Sequence, residues 1–245
     1  MQGKIAALLL AMLALGACSG TPPAHVVEAP RAGRLMPPQG IDMATDARDY
    51  ANEIKSRQLD FVARYYRAPT SRWPTLSAAE AAHLSSAGMK VVAVWESHSH
   101  KPEYFSYSSG YADAVSAYRQ AKSVGQPTGT AIYFAVDYNA PQSDITGSID
   151  QYFRGVAAGL ASVGGGSEYR VGVYGSGAVC DYLKRARLAQ YTWLSNSTAW
   201  SGYDSFTDWN IRQSKSSSLL SFNHDWNEAT DDYGGFQVNN QYSSL

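Results

Sequence analysis

Acids stand at the ends of apolar runs along this chain. Ala131 to Asn139, AIYFAVDYN, is apolar, β-branched and aromatic until it stops on Asp137. VVAVWE ends on Glu96 and GID ends on Asp42. FVARYY (Phe61 to Tyr66), VGVYGS, TWLSN, WNIRQ and FNHDWN continue the pattern with aromatics, serines, amides and Asp225. An apolar run of this length reads as a strand buried on both faces, and such strands belong to parallel sheets. In open α/β sheets and α/β barrels, active sites gather at the C-terminal edge of the strands. Two carboxylates held close push one pKa up, so one can hold a proton near neutral pH while the other stays charged. The residue types therefore point to acid/base chemistry by Glu96 and Asp137, with Asp42 beside them.

Each of these acids also has a plainer use. Glu96 can form an ion pair with Arg64 on the neighbouring strand, which would hold it ionised. Asp42 can cap the helix after the first strand, and Asp225 can hold the last loop. Asp137 is harder to explain structurally, because a carboxylate ending a fully buried strand is costly without a purpose. Tyr174, Trp193, Asn196 and Gln213 fall at or near later strand ends. Sugar rings stack on aromatic faces while amides bind their hydroxyls, so this set, with Asp225 and Arg64, suits a glycan cleft; for Trp193 barrel packing serves as well. Tyr65 and Tyr66 cannot both point inward, because strand side chains alternate. Neither Ser176 nor Ser195 sits in a G-x-S-x-G elbow, so a serine nucleophile has no support.

The elements that must position these groups alternate at first. A helix is expected over Asp46 to Arg57, and Ser77-Ala78-Ala79-Glu80 is a capping box opening a helix that ends at Gly88. Gly110 to Val124 and Ile145 to Val163 carry helical periodicity and stop at glycines, and Ala178 to Ala186 is a fifth helix. Candidate strands at Thr192, Asn210 and Phe222 then follow without clear helices between them. Five βα units followed by three closely spaced strands predict a modified TIM-type β/α barrel, an α/β fold. No Gly-x-Gly-x-x-Gly follows the first strand, so dinucleotide binding loses support.

Residues 1–18 read as a signal peptide: Lys4, an apolar stretch too short to span a bilayer, then Leu15-Gly16-Ala17-Cys18. That closing segment resembles a bacterial lipobox, which implies cleavage before Cys18 and its lipidation. Ser19 after it points to an outer-membrane destination facing the periplasm. Residues 19–38, rich in Pro and Ala, read as a tether, and 39–245 as one domain. The net charge of −1, with acids and bases mixed, argues against nucleic acid as a partner. With Cys18 lipidated, Cys180 has no cysteine to pair with. No Cys/His cluster has zinc spacing, and His98 and His100 suit a solvated loop. Neither a metal nor a cofactor is implied. Membrane contact is expected through the lipid anchor only, and the sequence is silent on oligomeric state.

GID, FVARYY, AIYFAVDYN, VGVYGSG and HDWNEA together resemble the glycoside-hydrolase-like family catalogued as domain of unknown function 1906, over about Gly40 to Gln237. That family is similar in fold to the family 25 lysozymes, which cleave peptidoglycan glycan strands. The resemblance implies a cell-wall glycan as substrate or ligand. It also matches Asp42, Asp137 and Asp225 to the first-strand acid, the first member of the strand-four Asp-x-Glu pair and the late acid of those enzymes. The glutamate of that pair is replaced here by Asn139, which cannot donate a proton to a leaving oxygen but can still touch substrate. Glu96 is the replacement acid the residues offer. The alternative is a glycan-binding lipoprotein that has lost catalysis.

Overall fold

The computed structural model describes residues 36–164, 168–214 and 220–238. Eight strands close a barrel in chain order: β1 (Gln39–Asp42), β2 (Phe61–Tyr66), β3 (Lys90–Trp95), β4 (Ala131–Ala135), β5 (Arg170–Gly175), β6 (Tyr191–Leu194), β7 (Ile211–Ser214) and β8 (Asp225–Ala229). Strands β1 to β7 are parallel. Strand β8 runs antiparallel to both β7 and β1. The expected barrel is therefore present, but its last strand is reversed and begins at Asp225 rather than at Phe222. The reversal has a simple cause. A short connection after β7 can turn the chain straight back, whereas a parallel crossover needs a dozen or more residues, usually a helix.

The helices cover the outside of the parallel portion. They are α1 (Ala51–Ser56), α2 (Ala78–Ser86), α3 (Tyr107–Val124), α4 (Gln142–Asp144), α5 (Asp150–Gly164) and α6 (Gly177–Arg185). A single 3-10 turn, Arg48–Tyr50, precedes α1, so the first helix is shorter than its expected span. The helix expected at Ile145 begins earlier, at Gln142, and passes through a π turn over Ile145–Ile149 before α5. The Ser77 side chain accepts from the Glu80 backbone N–H, as a capping residue should. The return half of the capping box is absent, because Glu80 is buried and turned inward to Arg64. Gly125 ends α3 in the left-handed conformation that favours glycine.

Period-2 alternation splits the core into two layers. Ile41, Val62, Tyr66, Val91, Ala93, Trp95, Ile132, Phe134 and Val173 point outward and pack under the helices. Phe61, Ala63, Val92, Val94, Tyr133, Ala135, Trp193 and Ile211 fill the barrel itself. Gly172 makes room there: a Cβ on it would lie 2.5 Å from the Tyr133 ring. The parity that fills the interior continues upward and selects the groups at the mouth.

Candidate functional site

Following the inward parity of each strand to its upper end brings Asp42, Tyr65, Glu96, Asp137, Tyr174, Trp193, Gln213 and Asp225 to one rim. With Val94, Asn196 and Ser197 they line a cleft of about 270 Å³. The reversed β8 places Asp225 at its beginning rather than its end, and the antiparallel register sets it directly opposite Asp42. A second, wider hollow of about 520 Å³ shares Asp42, Tyr65 and Asp225 with the cleft and runs out past Met43, Phe222 and His224.

Asp42 is the best-held member. Its carboxylate accepts from Gln213 Nε2 at 2.9 Å, Asn227 Nδ2 at 2.8 Å and Tyr65 Oη at 3.3 Å. Burial nevertheless outweighs these bonds and, with the charge of Asp225, pushes its pKa up to about 6. It does not cap the following helix; the Arg48 N–H is bound by Asp46 instead. Gln213 is the hub. Its carbonyl accepts from Tyr174 Oη at 3.0 Å and from the Asn196 N–H at 3.2 Å, and its amide donates to Asp42 and, at 3.4 Å, to Asp225. These bonds employ both ends of the amide, so Gln213 fixes Asp42 rather than offering itself to a ligand. Trp193 is 1% exposed, donates to Asn227 Oδ1 at 2.8 Å, and meets Tyr133 and Tyr174 edge-on. It forms the floor of the cleft and presents no open face for stacking. Asn196 is half-buried on the wall.

Glu96 and Asp137 stand apart from that network. Burial first, then the charge of Asp137, pushes the Glu96 carboxyl up to about 7; Arg67 opposes the shift. Asp137 is likewise raised by burial, with His100 opposing. Its backbone N–H donates to the Ser99 carbonyl at 2.9 Å, tying the end of β4 to the loop after β3. His98 and His100 are exposed, as their loop position implied. A carboxyl poised near neutrality beside a second carboxylate can deliver a proton to one side of a bond while its neighbour acts on the other.

Two sequence-derived contacts do not reach the cleft. Arg64 has outward parity and is fully buried, with its Nε 2.5 Å from Glu80 Oε1 and Nη1 2.7 Å from the Met43 carbonyl. It is therefore neither a partner of Glu96 nor a substrate contact; it ties β2 to α2 and to the β1 loop. Asn139 is exposed beyond the end of β4, and its Oδ1 accepts from the Ser201 N–H at 2.9 Å. It braces a neighbouring loop and does not line the cleft. Asn227 and Tyr65 are the contributors that residue type alone missed. Both carry the parity signal, Asn227 two residues after Asp225 and Tyr65 two after Ala63.

A family model described as the Rv2525c-like, glycoside hydrolase-like domain matches residues 52–244. The chain belongs to that family. The Tat-secreted protein Rv2525c of Mycobacterium tuberculosis, solved with HEPES, is similar to this family member at TM-score 0.67 and 21% identity, over 82% of this chain and 99% of that one. A family 25 glycosyl hydrolase from Bacillus anthracis is similar at TM-score 0.53 and 14% identity, over 81% and 94%. The modular autolysin LytC of Streptococcus pneumoniae, solved with a synthetic peptidoglycan ligand, gives 0.52 and 16%, over 78% and 46%. At these identities the likeness is one of fold. Among sequence relatives, the uncharacterized protein YbfG of Bacillus subtilis is 35% identical over 127 residues, 50% of this chain and 17% of that protein. FadG of the same organism is 31% identical over 157 residues, 63% and 27%. This glycoside hydrolase-like chain thus matches well under a third of either relative.

Proposed function

We propose that this protein is an envelope lipoprotein that hydrolyses cell-wall glycan, with peptidoglycan strands as the substrate. The observation that carries the reading is the Glu96–Asp137 pair in a glycan-sized cleft, with Glu96 held protonated up to about 7 by burial and by its neighbour. Glu96 gives its proton to the leaving glycosidic oxygen. Asp137 acts from the other side as base, nucleophile or orienting group for the sugar's acetamido oxygen, and Asp42 and Asp225 add negative charge where positive charge develops on the ring. The lysozyme-type fold of the family supports a sugar substrate. The lipobox at Cys18, which lies outside the described residues, supports anchoring to the outer membrane facing the periplasm.

The test is release of new reducing ends from purified peptidoglycan. Glu96→Gln is expected to lower turnover by about 10²-fold or more, the scale of a lost general acid, with glycan binding retained. Asp137→Asn is expected to do the same. The engagement of Asn139 with the Ser201 backbone favours one rival reading, a non-catalytic glycan-binding protein. A parent protein that binds strands yet releases no reducing ends would establish that rival.

A further inference from the structure

Arg67 stands one residue past the end of β2 and keeps the inward parity of Phe61, Ala63 and Tyr65. Its guanidinium lies over the Tyr65 ring, 4.2 Å from the centroid, and Tyr65 lines both hollows of the cleft. The main chain of Arg67 is pinned by Gln120, whose Oε1 accepts from its N–H and whose Nε2 donates to its carbonyl. The side chain is half-buried, its Nε is inaccessible and lacks a hydrogen bond, and among the described residues no carboxylate forms an ion pair with it. Glu96 is the carboxylate that acts on it most strongly, yet it stays outside ion-pair reach. A guanidinium held over an aromatic face by its carbon can still use its N–H fork, which matches a carboxylate. A half-buried arginine whose Nε has no partner is better matched when a ligand brings an anion to it.

We infer that Arg67 is a specificity residue, binding a carboxylate carried on the glycan as its sugars enter the cleft. This deepens the glycan reading of the same site and rests on it. The substrate class is then a glycan with free carboxylates, on a sugar-acid ring or on a lactyl ether, in preference to a neutral strand. Such lactyl carboxylates are exposed by hydrolysis of the amide that joins peptide to sugar, so that class of reaction would supply the preferred form.

The experiment measures binding of three oligosaccharides to the parent protein, to Arg67→Gln and to Arg67→Lys. The probes are peptide-free strands with free lactyl carboxylates, the same strands blocked as methyl amides, and neutral N-acetylglucosamine oligomers; a uronic-acid oligomer separates ring from lactyl carboxylates. The parent is expected to prefer the free carboxylate by about tenfold, the scale of one charge-assisted hydrogen bond. Arg67→Gln is expected to abolish that preference while keeping its affinity for the neutral oligomer, and Arg67→Lys to restore part of it. An unchanged preference in Arg67→Gln, with only a moved pH profile, would show that Arg67 acts through Glu96 alone and overturn the inference. Equal affinity of the parent for all probes would also overturn it. A parent that binds none of them would overturn the glycan reading itself.

Discussion

Among the acids, Glu96 is the one whose environment most favours holding a proton. Burial and Asp137 push its carboxyl from 4.5 up to about 7, and Asp42 adds to the shift. Between those values the unfolded chain has released a proton that folded Glu96 still holds. The folded state therefore binds more protons there, and stability falls as pH rises through that window. Glutamine cannot ionise, so Glu96→Gln is expected to be more stable than the parent by about 2 kcal/mol near pH 8, with the difference gone by about pH 4. Denaturant melts at the two pH values measure this. A variant destabilised equally at both would mean that Glu96 has the same pKa folded and unfolded, and would overturn the raised value. The same group sets the activity profile: kcat/KM is expected to decline as pH rises through about 7, where Glu96 loses its proton. Added stability with lost turnover from one substitution is what a site strained for catalysis gives.

The elements determine which acids can meet, and here close packing of helices matters as much as strand parity. Gly110, Gly155 and Gly159 let α3 and α5 approach backbone to backbone; a Cβ on Gly159 would sit 2.5 Å from the Tyr111 carbonyl oxygen. Gly159→Ala must therefore part the helices and is expected to cost about 1–3 kcal/mol, the usual scale of overpacking. Gly147→Ala, on the π turn where nothing lies near, is the control and is expected to be neutral or slightly stabilising. Urea midpoints of both variants check the contrast. The sequence showed the strands and glycine-ended helices because burial on both faces and left-handed caps leave local marks. It did not show the direction of β8, since FNHDWN reads alike in either sense and direction is set by where the chain must pair. Asn227 shares the parity of Asp225 in either sense; what hid it is that residue type does not link it to Asp42. Arg64 was misplaced for another reason: the rule that separates Tyr65 from Tyr66 also turns Arg64 outward, but its partner Glu80 lies on a helix that residue type does not link to it.

At the scale of the molecule, the proposed anchor and the cleft fall on different stretches of the sequence, so the anchoring proposal can be tested at a residue outside the cleft. The first strand begins at Gln39, and every group of the cleft lies between Asp42 and Asn227. Cys18 lies outside the described residues, ahead of the first strand in the chain. Among the described residues no helix is long and apolar enough to cross a membrane; the proposed attachment is acyl chains on Cys18. Two or more chains, at about 0.8 kcal/mol for each buried methylene, give stable anchoring where one chain gives only reversible contact. Cys18→Ser is therefore expected to shift the protein from the membrane fraction to the soluble envelope fraction, while its melting temperature and its turnover on soluble glycan fragments stay those of the parent. Release of the parent itself into the soluble fraction would reject the anchor. A fall in turnover on soluble fragments would show instead that the N-terminal segment contributes to the cleft.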